Sequence, residues 1–262
     1  MSNHDLKIIA ASILKTEANE LLQAADRVSE SIVDAAKLIN NHNGKVMICG
    51  LGKSGLIAQK IAATFCSIGR KAVFLHAVDA LHGDLGIFEA GDPTIVISKS
   101  GSTEEIVRLI PILKEFESPL IGIVGNMNSS IIDDLDIVLD ASVDNEADPL
   151  GIVPTSSTTL TLSIGDALAG VLMSVNGFNK NDFARFHPSG SLGKRLLLTV
   201  ENIMQRISNV AVVNTTDKLR KVVIAMTEKP NGAAIVKCKN DEFGLITDLD
   251  LRICLAEGED ID

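Results

Sequence analysis

The 262-residue chain contains no tryptophan and no tyrosine, and aromatic residues make up only 3% of it. Aromatic side chains are the platforms on which proteins stack nucleic-acid bases. The chain also lacks a basic excess, since 24 lysine and arginine residues against 34 acidic residues give a net charge of −10. Such a chain is poorly suited to attract a polyanion through its overall field. We therefore expect no nucleic-acid partner, and an anionic ligand would need a local site.

The sequence also lacks a disulfide pattern, a signal peptide and an apolar run of membrane-spanning length. Four cysteines lie in apolar stretches without paired spacing and are expected to be reduced core residues: Cys49, Cys66, Cys238 and Cys254. The first residues, Met-Ser-Asn-His-Asp, do not begin a signal peptide. These absences predict a cytoplasmic protein without a membrane partner. Apolar residues form 46% of the chain, ample for a buried core.

The N-terminal residues 4–41 are predicted to form one long helix. Apolar and small residues recur along it at alternating spacings of four and three: Leu14, Ala18, Leu21, Ala25, Val28, Ile32, Ala35 and Ile39. This heptad pattern is typical of a helix that packs against another helix. It favours a contact between subunits, and the alternative is that the helix lies on the sheet of its own chain.

Between Lys45 and about Gly177, short apolar runs alternate with helical patterns. The predicted strands are 45–50, 71–75, 94–98, 119–124 and 137–140. The predicted helices are 54–67, 103–116 and 158–176. This alternation predicts an α/β domain with a doubly wound, five-stranded parallel sheet flanked by helices, whose ligands bind at the C-terminal ends of the strands. Residues 178–200 are predicted to form an ordered tail with little regular structure.

A second unit is predicted to begin near Val200, so that the domains divide as 1–200 and 201–262. Its predicted elements are a strand at 210–213, a helix at 216–227 and strands at 233–237 and 243–246. About 60 residues make a small α+β segment that is marginal as an independent domain.

A loop rich in hydroxyl groups joins the third predicted strand to the next helix. Its sequence is Ser98-Lys99-Ser100-Gly101-Ser102-Thr103-Glu104-Glu105. Unpaired amides and the helix dipole at a helix N-terminus favour an anion such as phosphate. Residues 102–105 also match a capping box, and this alternative stays open. A second hydroxyl cluster, Thr155 to Thr159, favours the phosphate interpretation.

A glycine-rich turn, Gly-Leu-Gly-Lys-Ser-Gly at 50–55, follows the first predicted strand. A dinucleotide site would need an acidic residue after the next strand, where Leu75 and His76 stand instead. A nucleoside-triphosphate loop is excluded because Met47 occupies the place of its first glycine. We expect the turn to bring backbone amides and Lys53 close to a sugar phosphate, the alternative being that Lys53 is simply solvated.

Four further side chains are candidates for the site, and of the two histidines after the second strand His82 is the one expected to bind a sugar hydroxyl or transfer a proton. His76 and His82 lie just past the second strand, and two histidines without a third ligand do not predict a required metal. Glu146 precedes the second hydroxyl cluster, where burial would raise its pKa toward the range useful for proton transfer, unless it is merely solvated. His187 precedes a proline, which favours an extended backbone able to reach a neighbouring subunit's cleft. The alternative is a packed surface histidine.

Taken together, these motifs resemble those of the sugar isomerase (SIS) domain family, and more closely the D-arabinose 5-phosphate isomerases. The similarity covers about 45–195. The matching stretches are Gly-Leu-Gly-Lys-Ser-Gly at 50–55, His-Gly-Asp-Leu-Gly at 82–86, Ser-Lys-Ser-Gly-Ser-Thr-Glu-Glu-Ile at 98–106, Pro-Leu-Gly-Ile-Val-Pro-Thr-Ser-Ser-Thr-Thr at 149–159, Gly-Asp-Ala-Leu-Ala at 165–169 and His-Pro-Ser-Gly-Ser-Leu-Gly at 187–193.

The resemblance implies an SIS fold and the interconversion of D-arabinose 5-phosphate and D-ribulose 5-phosphate through an enediol. The product would feed 3-deoxy-octulosonate synthesis for lipopolysaccharide or capsule. The resemblance also implies a homotetramer that requires no cofactor, and enzymes of this family are often inhibited by zinc. The competing hypothesis is a sugar-phosphate-sensing regulator of the same fold, although this chain has no basic recognition helix.

The resemblance also implies roles for individual residues. The catalytic positions are Lys53, Glu105, Glu146 and His187, with the choice of base between Glu146 and His187 left open. His76 would be the ligand of an inhibitory zinc. The residues expected to hold the phosphate and hydroxyls are Ser54, Gly69, Arg70, His76, His82, Ser98, Ser100, Ser102, Thr103, Thr155, Ser156, Ser157 and Thr158.

The C-terminal part, 204–262, resembles one CBS motif. Members of the isomerase family usually carry two such motifs in tandem. With one motif, a complete nucleotide-binding pair cannot form within one chain.

Overall fold

The computed structural model of the chain describes residues 1–188 and 199–258, and it divides into two compact units, Met1–Leu197 and Leu198–Asp262. The strands of the first unit are β1 (Val46–Gly50), β2 (Ala72–His76), β3 (Thr94–Ser98), β4 (Leu120–Val124) and β5 (Ile137–Asp140). Its helices are α1 (Asn3–Asn40), α2 (Gly52–Ser67), α3 (Ala77–Ala80), α4 (Glu104–Glu115), α5 (Ser156–Val175) and α6 (Lys180–Phe186). Short 3₁₀ turns occupy Asp84–Ile87 and Ile132–Asp134.

The five strands form one parallel sheet in the order β2-β1-β3-β4-β5. β1, β3 and β4 are buried along their whole length, as expected for central strands with helices on both faces. Alternate residues serve two cores: Ile48 and Ile97 pack with α1, α2 and α5, whereas Met47 and Val96 pack with α3 and α4. The predicted α/β fold is therefore confirmed.

The long helix α1 begins with a capping box between Ser2 and Asp5. In its C-terminal half the heptad residues Val28, Ile32 and Ile39 are buried, and the helix contacts α5 and β5. In its N-terminal half, by contrast, Leu14 is 69% exposed. The helix thus lies on its own domain over its second half, and the predicted subunit contact stays a prediction for the first half.

Among the described helices, α5 is long and apolar enough to cross a membrane by length and composition alone, with a mean hydropathy of 1.4. The expectation that no segment reaches this length was therefore wrong. However, α5 packs against α1 and α2, Leu160 and Leu168 lie in the core, and Asp166 pairs with Lys60 of α2. These contacts are those of a core helix in an α/β domain.

Part of the predicted irregular tail is helical, because α6 occupies Lys180–Phe186. The side chain of Asn179 accepts hydrogen bonds from the amides of Asn181 and Asp182, and Asp182 accepts one from the Asn179 amide in return. This capping box satisfies amide donors at the helix start, which stabilises even a short helix.

The second unit contains the strands β6 (Ala211–Asn214), β7 (Ala233–Lys237) and β8 (Phe243–Thr247). Its helices are α7 (Val200–Ile203), α8 (Leu219–Glu228) and α9 (Asp248–Ala256). β7 is central, parallel to β6 and antiparallel to β8, and a small core includes Val213, Val222 and Ala234. Helix α9 is an addition to the predicted elements, and it begins with a capping box between Thr247 and Asp250.

Candidate functional site

A cavity of about 220 Å³ lies at the C-terminal ends of β1, β3, β4 and β5. From β1 the chain adds β2 on one side of the sheet and then β3, β4 and β5 on the other, so the topological switch point lies between β1 and β3. Doubly wound sheets bind ligands at such a point. The cavity brings the glycine-rich turn and the second hydroxyl cluster together. Its lining residues are Leu51, Lys53, Ser54, Ile57, Lys99, Gly125, Ala141, Pro154, Ser157, Thr158 and Thr161.

The glycine-rich turn is tight enough to require glycine at two positions. Gly52 has a φ of +58°, a left-handed conformation that favours glycine, and a Cβ on Gly50 would lie 2.9 Å from the backbone of Ser54. The turn leads directly into α2, whose N-cap Leu51 makes no side-chain capping hydrogen bond. Lys53 and Ser54 are thereby placed in the first turn of α2, at the cavity.

The loop after β3 uses its own hydroxyls to hold its shape. The Ser98 side chain accepts a hydrogen bond from the Gly101 amide (3.1 Å), and Ser100 accepts one from the Ser102 amide (3.2 Å). The N-cap of α4, Thr103, makes no side-chain capping hydrogen bond, so the capping-box alternative was wrong. Ser98, Ser100, Ser102, Thr103 and Glu105 do not line the cavity, although the loop borders it through Lys99.

Among the described residues of the site, the Glu146 carboxylate accepts the most hydrogen bonds. The Glu146 side chain is only 5% exposed. The carboxylate accepts hydrogen bonds from the amide (2.8 Å) and the hydroxyl (3.1 Å) of Thr155 and from the amide (3.2 Å) and the hydroxyl of Ser157. It also forms an ion pair with Lys99. Burial by itself would raise its pKa, but the hydrogen bonds from Lys99, Ser157 and Thr155 together lower it from 4.5 to about 2. The expected upward shift was therefore wrong.

The second hydroxyl cluster lies at the start of α5. Ser157 and Thr158 line the cavity, and the Thr158 hydroxyl donates to the Thr155 carbonyl (2.8 Å). Ser156 is only 1% exposed, and its hydroxyl has no partner among the described residues. Thr155 and Ser156 thus shape the helix start, whereas Ser157 and Thr158 face the ligand space.

Polar residues of α1 hold the segment that carries Glu146. Glu20 is 4% exposed and accepts hydrogen bonds from the amides of Asp144 and Asn145, both at 3.0 Å. Arg27 pairs with Asp140 (3.1 Å) and donates to the Ser142 carbonyl (2.7 Å). The segment between β5 and Glu146 is therefore fixed from the side of the helix.

Three predicted site residues lie near the N-terminal ends of the strands, at the opposite end of the sheet from the cavity. Arg70 donates to the carbonyls of His42 (2.8 Å) and Gly44 (3.0 Å), which precede β1, and a Cβ on Gly69 would lie 2.7 Å from the Phe186 ring of α6. His187, directly after α6, stacks on Phe183 with ring centroids 3.9 Å apart. Within a single chain, Gly69, Arg70 and His187 lie apart from the cavity, and their expected contacts with the substrate stay predictions.

His187 Nδ1 lies 3.0 Å from the Phe183 carbonyl oxygen of its own chain, and the expected reach of His187 into a neighbouring subunit's cleft stays a prediction. The remainder of the 187–193 motif, from Ser189 onward, lies outside the described residues.

His76 is the last residue of β2, His82 lies beyond the strand, and neither lines the cavity. His76 is the strand neighbour of Gly50, and its Nδ1 is 3.4 Å from Asp79 Oδ2. Nowhere in residues 1–188 and 199–258 do three metal-binding side chains come together. The geometry therefore gives no support to His76 as the ligand of an inhibitory zinc.

Residues 38–170 match the family model of the SIS domain. The chain belongs to the SIS-domain family. Among its relatives, the arabinose 5-phosphate isomerase KdsD of Francisella tularensis is 40% identical over 246 residues, which are 93% of this chain and 75% of that protein. The KdsD protein of Escherichia coli K12 is 40% identical over 259 residues, 98% of this chain and 79% of that protein.

Solved structures share the SIS fold. The protein c3406 of E. coli CFT073, solved in complex with arabinose 5-phosphate, is 38% identical and superposes with a TM-score of 0.68, covering 72% of this chain and 100% of that one. Vibrio vulnificus NanR in complex with ManNAc-6P has a TM-score of 0.59 at 17% identity, covering 76% of this chain and 70% of that one. At that identity the likeness shows the fold alone.

Two residues of this SIS domain escaped the sequence analysis. Lys99 was noted only as part of the hydroxyl loop, although a charged residue directly after a buried strand is a signal for the ligand edge of a parallel sheet. Glu20 was missed because its partners, Asp144 and Asn145, lie more than a hundred positions away in sequence. An acidic residue one turn before the buried Ala24 was the available signal.

Replacing Glu20 with glutamine is expected to lower the free energy of unfolding by about 1–3 kcal/mol, because an NH₂ group would face a buried amide donor. Urea denaturation measures the change. Glu17→Gln is the matched control, since Glu17 accepts a single hydrogen bond from the Thr159 hydroxyl (3.2 Å) on the same helix. We expect this control to lower the free energy of unfolding by about 0.5 kcal/mol or less. Equal effects of the two substitutions would contradict the assigned role of Glu20.

The depressed pKa of Glu146 predicts a pH-dependent contribution to stability. A carboxylate whose pKa is lower in the folded state stabilises the fold above its ordinary pKa of 4.5, and this stabilisation is lost as the pH falls toward about 2. The difference in unfolding free energy between wild type and Glu146→Gln should therefore narrow between these pH values. Glu115→Gln, at an exposed position of α4, is the control. A difference that stays constant with pH would refute the prediction.

Proposed function

We propose that this protein is an aldose–ketose isomerase that interconverts D-arabinose 5-phosphate and D-ribulose 5-phosphate. The observation that carries the proposal is a hydroxyl-lined cavity with Lys53 and Lys99, in an SIS domain 40% identical to arabinose 5-phosphate isomerases over most of the chain. In a chain of net charge −10, this local concentration of cations suits an anionic sugar phosphate.

The proposed reaction opens the sugar ring and then moves a proton through an enediol. A base removes the proton from C2 of the aldose while O1 gains a proton; O2 then loses its proton and C1 receives one. Such a reaction needs acid–base groups and a site shielded from water, and no hydride acceptor. Lys53 would stabilise the negative charge that develops on the oxygens, and Ser54, Ser157 and Thr158 would bind phosphate and hydroxyls.

The geometry of Glu146 favours a role other than base. A carboxylate held by several donors, with a pKa of about 2, has little tendency to take up a proton near neutral pH. We propose that Glu146 anchors the site and that His187 of a neighbouring subunit performs the proton transfer. The position of His187 apart from the cavity of its own chain supports this assignment, because in a symmetric oligomer the surface of one copy can contact the cavity of another. Gly69 and Arg70 would then reach the substrate from the same neighbour.

We further propose that the protein is a cytoplasmic homotetramer. Its product would supply 3-deoxy-octulosonate synthesis for lipopolysaccharide or capsule. The exposed N-terminal half of α1 supports a subunit contact, and the four cysteines are free, as suits a reducing compartment. We propose that the second unit is a single CBS-like module. The 40% identity to arabinose 5-phosphate isomerases favours the enzyme over the competing sugar-phosphate-sensing regulator, and an activity assay separates the two functions.

The purified protein should convert D-arabinose 5-phosphate to D-ribulose 5-phosphate without added metal or cofactor, and it should prefer this substrate in a panel of pentose and hexose phosphates. Lys53→Met should lower kcat about 10²–10³-fold, the usual cost of losing one electrostatic stabiliser of a transition state. Lys114→Met, on the far helix α4, is the control. Binding of sugar phosphates without turnover would reject the enzyme in favour of the regulator.

A mixing experiment tests whether His187 acts across subunits. His187→Ala and Lys53→Met proteins should each be nearly inactive, but co-refolded mixtures should recover roughly a quarter of the wild-type activity, the statistical share of sites that combine two intact residues from different chains. Mixing each variant with itself is the control. No recovery, in mixtures shown to contain mixed oligomers, would place both residues in the same chain's site.

A further inference from the structure

Lys99 occupies a fixed position at the mouth of the cavity. It follows β3 directly, and a Cβ on Gly125 would lie 2.7 Å from its carbonyl oxygen, so the backbone here is closely packed against the end of β4. Its side chain is 49% exposed and lines the cavity opposite the glycine-rich turn that carries Lys53. The ammonium group therefore reaches both Glu146 and the ligand space.

Glu146 does not need Lys99 to satisfy its hydrogen bonds. Two backbone amides and two hydroxyls, from Thr155 and Ser157, already donate to its carboxylate. A lysine ammonium has three donors, and Glu146 is the one acceptor found for Lys99 within the described part of the chain. Donors are thus left over on a cation that borders the cavity.

The charges around the cavity also point to a second cation for the ligand. Lys53 and Lys99 are the charged residues that line the cavity, and every other lining residue in the described chain is uncharged. A phosphate monoester carries close to two negative charges at neutral pH, and lysine is a common point-charge partner for it. The surrounding hydroxyls can orient such a group but cannot compensate its charge.

We propose that Lys99 is a substrate-binding residue that contacts the anionic group of the sugar phosphate while its bond to Glu146 holds it in place. The inference rests on the proposed function for the identity of the substrate. It makes Lys99 a specificity-determining residue that favours phosphorylated over neutral sugars, and it makes Glu146 the group that keeps this cation at the cavity.

Isothermal titration with inorganic phosphate tests the proposal independently of turnover. Lys99→Met should weaken phosphate binding about tenfold or more, as expected when a hydrogen bond to a charged group is lost. It should raise the KM for D-arabinose 5-phosphate by a similar factor with a smaller change in kcat. Lys99→Arg, which keeps the charge, should restore most of the affinity. Lys60→Met is the control, since it removes a lysine that pairs with Asp166 between α2 and α5. It should leave the phosphate affinity and the KM for D-arabinose 5-phosphate unchanged.

Unchanged phosphate affinity in a folded Lys99→Met protein would overturn the proposal, and so would wild-type protein that binds no phosphate. A drop in kcat alone would also overturn it, because it would mean that Lys99 serves only to hold Glu146. If Lys99→Met does not fold, Lys99→Gln replaces it in the same titration. Lysine-dependent phosphate binding in a protein without isomerase activity would uphold this inference while rejecting the proposed function.

Discussion

The buried carboxylate of Glu146 is the interaction on which the arrangement of the site depends. It joins the loop after β3 through Lys99 and the start of α5 through Thr155 and Ser157. Each of these contacts is a charge-assisted hydrogen bond, which is stronger than a bond between neutral groups. A buried anion that lost its partners would be costly, so the carboxylate and its donors constrain each other's positions.

The electrostatics of the site are local and opposite in sign to those of the whole chain. The net charge of −10 would repel a phosphate at long range, but the Debye length of about 8 Å at physiological salt screens that field. A phosphate inside the cavity would lie within a few ångströms of Lys53, Lys99 and the amides at the start of α2. Salt screens electrostatic attraction only weakly over such distances. Selection of an anionic substrate can therefore coexist with an acidic surface.

The described chain contains two groups of polar residues at opposite ends of the strands of its sheet. One group surrounds the cavity and is held from behind by Glu20 and Arg27 of α1. The other contains Arg70 and His187, which pack with the segment before β1 and with Phe183.

The sequence by itself determined the fold class, the order of strands and helices along the chain and the two hydroxyl clusters, because apolar periodicity and turn residues are local signals. The helices α6 and α9 were missed, although local capping boxes marked both. Only the tertiary structure decided that Glu146 is anchored and strongly acidic, that Lys99 faces the cavity and that His187 does not. The Lys99–Glu146 pair and the support from Glu20 join residues 47, 124 or 125 positions apart, as in Lys99–Glu146, Glu20–Asp144 and Glu20–Asn145, and such pairs form only when the sheet is assembled.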